Sequence, residues 1–136
     1  MFDTLKIINE TAAFNRWAGF EVTRAEKGEA ELHMPWRDEM GQYAGFLHAG
    51  MTAALLDTVC GFAAATVSGR VLAPHFSVNC ISPAVGQVFI AYGKVVKAGR
   101  KQVFASGELY AESDGQRKLV ATGSAILVPV ETAELA

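Results

Sequence analysis

Thirty consecutive residues, 40 to 69, contain a single formal charge, the carboxylate of Asp57. The apolar part of this stretch is long enough to suggest a membrane-spanning helix. A carboxylate near the centre of such a span costs about 3 kcal/mol on insertion scales, and the stretch is rich in Gly, Ala and Thr. We therefore predict a buried helix over residues 49–67 and no membrane partner.

Local patterns divide the rest of the chain into short elements. Residues 3–15 have apolar side chains at helical spacing, with Asp3 positioned to cap the helix and Gly19 to close it. In residues 29–34, apolar side chains alternate with Glu and His, which is typical of a half-buried strand. Strands are predicted over residues 20–25, 29–34, 71–81, 88–96, 102–112 and 118–130, and Lys27-Gly28 separates the first two.

Short turns between these strands predict their direction. Ser82-Pro83, Gly99-Arg100 and Asp114-Gly115 separate the last four runs, and Asp-Gly is a strong hairpin signal. Runs joined by such turns must be antiparallel. The sequence thus predicts an α+β fold, with an antiparallel sheet of five or six strands packed on one long helix. We expect one domain over residues 1–136, with a tail at 131–136 that frays.

Composition excludes several classes of function. The net charge of -2 and the pI near 5.9 provide no general attraction for nucleic acid, so no nucleic-acid partner is expected. Cys60 and Cys80 form neither a CxxC pair nor a zinc-binding spacing, so we predict no metal. The N-terminal residues lack the pattern of a secretion signal. A reducing cytoplasm is the expected location.

The predicted helix separates its residues by size. Met51, Leu55, Val59 and Phe62 form a bulky stripe that should face the sheet. The opposite ridge consists of small residues, Gly50, Ala53, Ala54, Gly61 and Ala64, with Asp57 in its middle. A carboxylate in this position is partly desolvated, which raises its pKa and suits it to proton transfer.

The start of the helix is a second candidate site. His48, Ala49 and Gly50 supply backbone N–H groups without an intrahelical partner, at the positive end of the helix dipole, where they can hold an oxyanion. Asp57 lies eight residues beyond Ala49, which is about 12 Å along a helix axis. One chain cannot easily aim both groups at one carbon, so the spacing predicts a site shared between two subunits.

The motif around the helix start resembles that of a known family. Residues 42–50, Gln-Tyr-Ala-Gly-Phe-Leu-His-Ala-Gly, followed by Asp57 seven residues later, are similar to the Asn-x-x-Gly-x-x-His-Gly-Gly…Asp pattern of hotdog thioesterases of the PaaI-like type. Residues 78–84, 99–100 and 114–123 also resemble that family, so the similarity covers nearly the whole chain.

The resemblance implies a hotdog fold, in which a curved sheet wraps around the long helix. It implies hydrolysis of an acyl-CoA thioester by a homodimer or homotetramer with active sites at the dimer interface. No cofactor is implied, because coenzyme A is part of the substrate. The resemblance implies that Asp57 is the general base or nucleophile and that the N–H of Ala49, beside Gly50, donates to the oxyanion. His48 would hold the thioester or the loop, and Gln42 would position water. Phe46 would lie near the acyl group, and Gly99, Arg100 and Lys101 would bind the phosphates of coenzyme A.

Two departures leave other interpretations open. Ala49 replaces the first glycine of the family motif, and Gln42 replaces the commoner Asn, so the chain could be a hotdog module that binds acyl-CoA without hydrolysing it. A hydratase on the same fold is a third hypothesis, although its His and Asp are differently spaced. His48 could serve only the helix start, Arg100 and Lys101 could form a solvated hairpin tip, and Cys60 is expected to pack.

Overall fold

The computed structural model describes residues 1–131, so the tail predicted to fray, 131–136, lies outside the described residues except for Glu131. Most of the chain is in regular elements, joined by short loops. The elements are α1 (Phe2–Thr11), α2 (Ala13–Ala18), β1 (Glu21–Glu26), β2 (Glu29–Pro35), a 3₁₀ turn (Asp38–Met40), α3 (Ala49–Ser68), β3 (Val71–Cys80), β4 (Val88–Ala98), β5 (Val103–Ser113) and β6 (Gln116–Pro129).

The six strands form one antiparallel sheet in the order β1-β2-β4-β5-β6-β3, and α3 contacts every strand. The predicted α+β hotdog arrangement, a sheet wrapped around one long helix, is confirmed. Tight turns close two of the hairpins. Lys27 and Gly28 both have positive φ, as do Asp114 and Gly115, and this is the geometry of a two-residue turn that matches the twist of the flanking strands.

One predicted hairpin is wrong. The Ser82-Pro83 segment does not pair β3 with β4; β3 pairs with β6 at one edge of the sheet, and β4 pairs with β2. The physical reason is the crossover: α3 carries the chain over the sheet from β2 to the far edge, and the chain then returns to the free side of β2. Ala84 of the returning segment accepts a hydrogen bond of 2.9 Å from the N–H of Leu47, so this segment lies against the loop before α3.

The N-terminal prediction also needs correction. The helix is interrupted at Ala12, whose backbone is extended, and Asp3 lies in the first turn without capping it. Buried Asn9 holds the two helices and β1 together across this break, because its Nδ2 donates to the carbonyl of Phe20 at 2.8 Å and its Oδ1 accepts from Nδ2 of Asn15 at 3.0 Å. Gly19, in the left-handed region, ends the second helix as expected.

Three glycines let α3 lie close to the sheet. Gly93, Gly107 and Gly123 are paired in register across β4, β5 and β6. A Cβ on Gly93 would lie 2.5 Å from the carbonyl oxygen of Val59, and one on Gly107 would lie 3.0 Å from Leu56. At Gly93 the sheet therefore meets the backbone of α3 with no side chain between them, whereas Gly107 makes room for the side chain of Leu56.

The buried face of α3 is only partly the one predicted. Met51, Leu55 and Val59 are buried as expected, but Phe62 is half-buried at the edge of a cavity, whereas Ala64 is fully buried. This 20-residue helix is long and apolar enough to cross a membrane, with a mean hydropathy of 1.4. Because it packs on all six strands, it is the core helix of the fold.

Candidate active site

Asp57 lies halfway along α3 and opens into a cavity of about 680 Å³, called here the carboxylate cavity. Desolvation by the surrounding apolar side chains raises the pKa of its carboxyl. Among residues 1–131, no group forms a hydrogen bond or ion pair with this carboxylate. A half-buried carboxylate that is not engaged in the fold is available to accept a proton from, or attack, a bound molecule.

The start of α3 has one unoccupied backbone donor. His48 is the N-cap residue, and its Nδ1 accepts a hydrogen bond of 2.8 Å from the N–H of Gly50. The N–H groups of Met51 and Thr52 donate to the carbonyl of His48 at 2.9 and 3.1 Å. In the described part of the chain, the N–H of Ala49 has no acceptor. It is therefore the donor at this helix end that can hold an oxyanion.

The loop before α3 is held by its own hydrogen bonds. The N–H of Gln42 donates to the carbonyl of Phe46 at 2.8 Å, and the N–H of His48 donates to the carbonyl of Met40 at 2.9 Å. The side-chain oxygen of Gln42 accepts a hydrogen bond from the N–H of Ala44. This oxygen is engaged within the loop, which leaves the amide NH₂ as the group of Gln42 that can contact a ligand.

A second cavity of about 530 Å³, called here the loop cavity, lies beside this helix start. Gln42, Phe46, His48 and Ala49 line it, so the structure brings together four of the predicted site residues. Asp57 is not among its lining residues and faces the carboxylate cavity instead. Within one chain, Ala49 and Asp57 therefore line different cavities.

The predicted phosphate-binding residues form a separate feature. Gly99, Arg100 and Lys101 lie in the turn between β4 and β5, where the N–H of Gly99 donates to the carbonyl of Gln102 at 2.8 Å. All three residues are exposed and line neither the carboxylate cavity nor the loop cavity. In a single chain they are a solvated hairpin tip that carries two cations.

The two cysteines have different surroundings. Cys60 is buried, and desolvation together with the nearby Asp57 charge raises the pKa of its thiol to about 12, so it is a packing residue and not a nucleophile. Cys80 is exposed and lines the loop cavity. No group of three or more His, Cys, Asp or Glu in residues 1–131 is arranged to hold a metal ion.

Several cavity residues were not predicted as site residues. Helix α1 and the start of β3 form walls of the carboxylate cavity, through Leu5, Ile8, Val71 and Leu72. Leu5 and Ile8 stood out in the sequence only as the apolar face of an amphipathic helix. That pattern shows that the two side chains face the same way but not what they face.

Comparison with known proteins agrees with this geometry. The family model described as the thioesterase superfamily matches residues 44–118, a span that includes Ala49, Asp57 and the rest of α3, strands β3 to β5 and the start of β6. The solved structure of a thioesterase family protein from Silicibacter pomeroyi is 33% identical, with a TM-score of 0.88, over 91% of this chain and 93% of that one. This chain belongs to the thioesterase superfamily.

Two more distant relatives show how widely the superfamily fold is shared. Zebra fish thioesterase superfamily member 2 is 25% identical, with a TM-score of 0.83, over 96% of this chain and 99% of that one. The PaaI protein of E. coli, from the phenylacetic acid degradation operon, has a TM-score of 0.84 over 92% of this chain and 89% of that one, and its 18% identity shows the fold alone.

A relative from Saccharolobus solfataricus, whose esterase activity is itself inferred, is 27% identical over 91% of this chain and 92% of its own length. Together with the family match, it supports thioester hydrolysis as the general chemistry of this superfamily member. The substrate and the roles of individual residues rest on the site geometry.

Proposed function

We propose that this thioesterase superfamily member is a cytoplasmic acyl-CoA thioesterase with Asp57 as its catalytic carboxylate. The observation that carries the proposal is the pair of unengaged groups on one helix: the desolvated carboxylate of Asp57 and the N–H of Ala49. An acyl transfer site needs both, a group that delivers the nucleophile and a donor for the oxyanion.

The chemistry follows from these two groups. Asp57 removes a proton from water, whose oxygen adds to the thioester carbonyl carbon as the carbonyl electrons move onto its oxygen. The N–H of Ala49 stabilises this oxyanion. The intermediate collapses with cleavage of the C–S bond, and the proton held by Asp57 passes to the departing sulfur, which leaves free coenzyme A. Alternatively, a carboxylate oxygen of Asp57 attacks the carbonyl carbon and the C–S bond breaks, so that coenzyme A leaves as a thiolate and takes a proton from solvent. Water then hydrolyses the acyl–aspartate anhydride, which releases the carboxylate product and restores Asp57.

We further propose that each active site is completed by a second copy of the chain. Eight residues of helix separate Ala49 from Asp57, about 12 Å along the axis, and the two groups face different cavities. A partner whose helix start meets the carboxylate cavity would bring both groups to one thioester. The smallest assembly that meets this need is a homodimer, and a homotetramer built from two such dimers meets it as well.

The edge strand β3 supports a dimer. It pairs only with β6, and its Leu72 and Phe76 side chains are exposed. An unpaired strand edge with uncovered apolar side chains is a template for pairing with another strand. Two β3 strands paired across a two-fold axis would continue the sheet from one subunit into the next.

The coenzyme A moiety is assigned to the exposed cationic turn. Arg100 and Lys101 carry two positive charges. Neither forms an ion pair with a carboxylate of residues 1–131. Arg and Lys are the side chains that bind phosphate oxygens. In a dimer, the turn of one subunit is free to reach the phosphates of a ligand bound near the other.

The test is thiol release from acetyl-, hexanoyl-, palmitoyl- and phenylacetyl-CoA by the wild type and by Asp57→Asn. We expect the wild type to turn over at least one substrate and the variant to lose about 10²–10⁴ of the rate, the range that general-base catalysis contributes. Circular dichroism of both proteins controls for folding. An unimpaired, folded Asp57→Asn variant would contradict the assignment of Asp57.

A binding module that carries acyl-CoA intact is the second candidate. It is favoured by the loop geometry, because the side-chain oxygen of Gln42 accepts from the N–H of Ala44, so its NH₂ group is the part of the amide left to contact water. The methyl group of Ala49 also narrows the approach to the oxyanion donor. Tight binding of intact hexanoyl-CoA, with no thiol released from any of the four substrates, would establish this function.

A further inference from the structure

The carboxylate cavity lies between α1, α3 and the start of β3. Asp57 and Arg70 are the only charged side chains of its lining, and most of the others are apolar. The lining residues are Met1, Thr4, Leu5, Ile8, Asp57, Thr58, Gly61, Phe62, Ala65, Gly69, Arg70, Val71, Leu72, Ala73 and Leu127. Its volume of about 680 Å³ is within the range of small-molecule sites.

The floor of the cavity is a row of small residues that starts at the carboxylate. Asp57, Gly61 and Ala65 follow each other at one-turn spacing on the same face of α3, and all three line the cavity. The row is about 12 Å long at the rise of an α-helix. A ligand group that lies on this row extends away from Asp57 over apolar surface.

Gly61 is not required by the packing of its own chain. A Cβ at this position would meet only Leu127, at 3.8 Å, which is an ordinary van der Waals distance. Gly93 differs, because a Cβ there would collide with the backbone of α3. Glycine weakens the interior of a helix relative to alanine. The fold of one chain would therefore accept a side chain at Gly61, and its absence leaves the space beside Asp57 open.

We infer that the carboxylate cavity holds the acyl group of the substrate, that this group is apolar and longer than acetyl, and that Gly61 determines how large it can be. The inference rests on the proposed function, in which Asp57 acts at the thioester. The acyl chain runs from Asp57 over Gly61 and Ala65, and Ile8 of α1 forms part of its outer wall.

The first test fills the space above Gly61. In the full-length protein, Gly61→Leu is compared with Gly61→Ala and wild type on acetyl-, hexanoyl- and palmitoyl-CoA. We expect wild type to prefer a longer acyl group to acetyl. For Gly61→Leu, the kcat/KM ratio of hexanoyl- to acetyl-CoA should fall by about tenfold or more, the range for steric changes in an apolar pocket, and Gly61→Ala should show a smaller fall.

A matched pair on α1 tests the outer wall. Ile8 lines the cavity, whereas its neighbour Ile7 does not and is 64% exposed. Ile8→Ala should enlarge the cavity and shift the preference from hexanoyl- toward palmitoyl-CoA. Ile7→Ala should leave the preference of the wild type unchanged. This pair keeps the inference testable if Gly61→Leu does not fold.

Three results would overturn the inference while the proposed function stands: a wild-type preference for acetyl-CoA, an unchanged chain-length preference in folded Gly61→Leu and Ile8→Ala, or a Gly61→Leu variant that becomes monomeric in size-exclusion chromatography. The last result would mean that the space above Gly61 receives the partner's backbone. An equal loss on all three substrates is a case of the second result, because it leaves the chain-length preference unchanged.

Failure of the proposed function is a separate result. If wild type releases no thiol from any acyl-CoA, binding of a non-hydrolysable hexanoyl-CoA thioether is measured by calorimetry. The cavity assignment then requires Gly61→Leu to weaken binding of this analogue by tenfold or more and to affect coenzyme A itself much less. Equal affinity of wild type and Gly61→Leu for the analogue would overturn the assignment.

Discussion

At the scale of single residues, α3 combines a stabilising group with a destabilising one. The imidazole of His48 caps the helix by accepting from the N–H of Gly50, which gives this side chain a structural task whatever it does with a substrate. Asp57 has no such partner in residues 1–131, and its desolvation costs folding free energy whenever the carboxylate is charged. A group that costs stability and is not used by the fold is a mark of a functional site.

Because the charged carboxylate of Asp57 is desolvated in the folded protein, we expect the stability of the protein to depend on pH. Its pKa is raised in the folded protein, so the folded state binds more protons than the unfolded one between the two pKa values. Wild-type stability should therefore fall as the pH rises through this window. Asp57→Asn removes the charge, so its Tm should exceed that of wild type at pH 7, and the difference should vanish below the ordinary carboxyl pKa of 3.8.

Thermal unfolding followed by circular dichroism from acid to neutral pH measures this difference. Glu21→Gln is the control, since Glu21 is an exposed carboxylate remote from the cavity lining. Its Tm should follow that of wild type across the pH range. An Asp57→Asn variant less stable than wild type at every pH would show that the carboxylate supports the fold.

At the scale of elements, glycines in the sheet determine how closely α3 can pack on it. Strands β4, β5 and β6 each place a glycine under the middle of α3. Gly93 admits the helix backbone itself, and Gly107 and Gly123 make room for the side chain of Leu56. The hydrophobic face of the helix is then buried on both sides of this contact by two clusters of apolar residues. The position of Asp57 above the sheet depends on this close approach.

Adding one methyl group at the contact should therefore be costly. Gly93→Ala would place a Cβ 2.5 Å from the carbonyl oxygen of Val59, and a backbone atom cannot move without moving the helix. We expect a loss of about 1–3 kcal/mol in the free energy of unfolding, measured by urea denaturation. Gly61→Ala is the matched control and should be neutral or stabilise the protein by up to about 1 kcal/mol. Equal stabilities of the two variants would disprove the close contact.

At the scale of the whole molecule, two exposed phenylalanines lie on opposite faces of the sheet. Phe76 of β3 is paired with Ala125 and lies on the helix-facing side of the sheet, yet it is 44% exposed and packs in neither of the two core clusters. Phe104 of β5 is comparably exposed, at 41%, but it points to the opposite face, since its neighbour Ala105 is buried against α3. Only Phe76 lies where a paired β3 would be covered by a partner.

A charge at Phe76 should therefore separate the proposed dimer. We expect Phe76→Lys to sediment as a monomer in analytical ultracentrifugation and to lose thioesterase activity with it, because each site would lack the partner's helix start. Phe104→Lys, the control, should remain at least dimeric. A folded, monomeric Phe76→Lys variant with wild-type activity would show that one chain contains a complete site.

Sequence patterns predicted the elements of this fold well where the determining interactions are local. The helix predicted over 49–67 is observed over Ala49–Ser68, and the turns at Lys27-Gly28 and Asp114-Gly115 lie where the sequence indicated them. Helical periodicity and positive-φ turns depend on neighbours within a few residues, so they can be read without knowing the fold. The unusual position of Asp57 in an apolar helix is equally visible in the sequence.

The amino-acid sequence alone thus determined the helix, the hairpin turns and the isolated carboxylate, because each depends on residues close together in the chain. Tertiary structure decided that β3 lies at the far edge beside β6, that Phe62 faces a cavity, and that α1 forms a wall of that cavity. These features depend on where the crossover of α3 delivers the chain and on which surface remains uncovered afterwards. The path of the crossover and the uncovered surface both depend on contacts between residues that are distant in sequence. A local sequence pattern contains no information about such contacts.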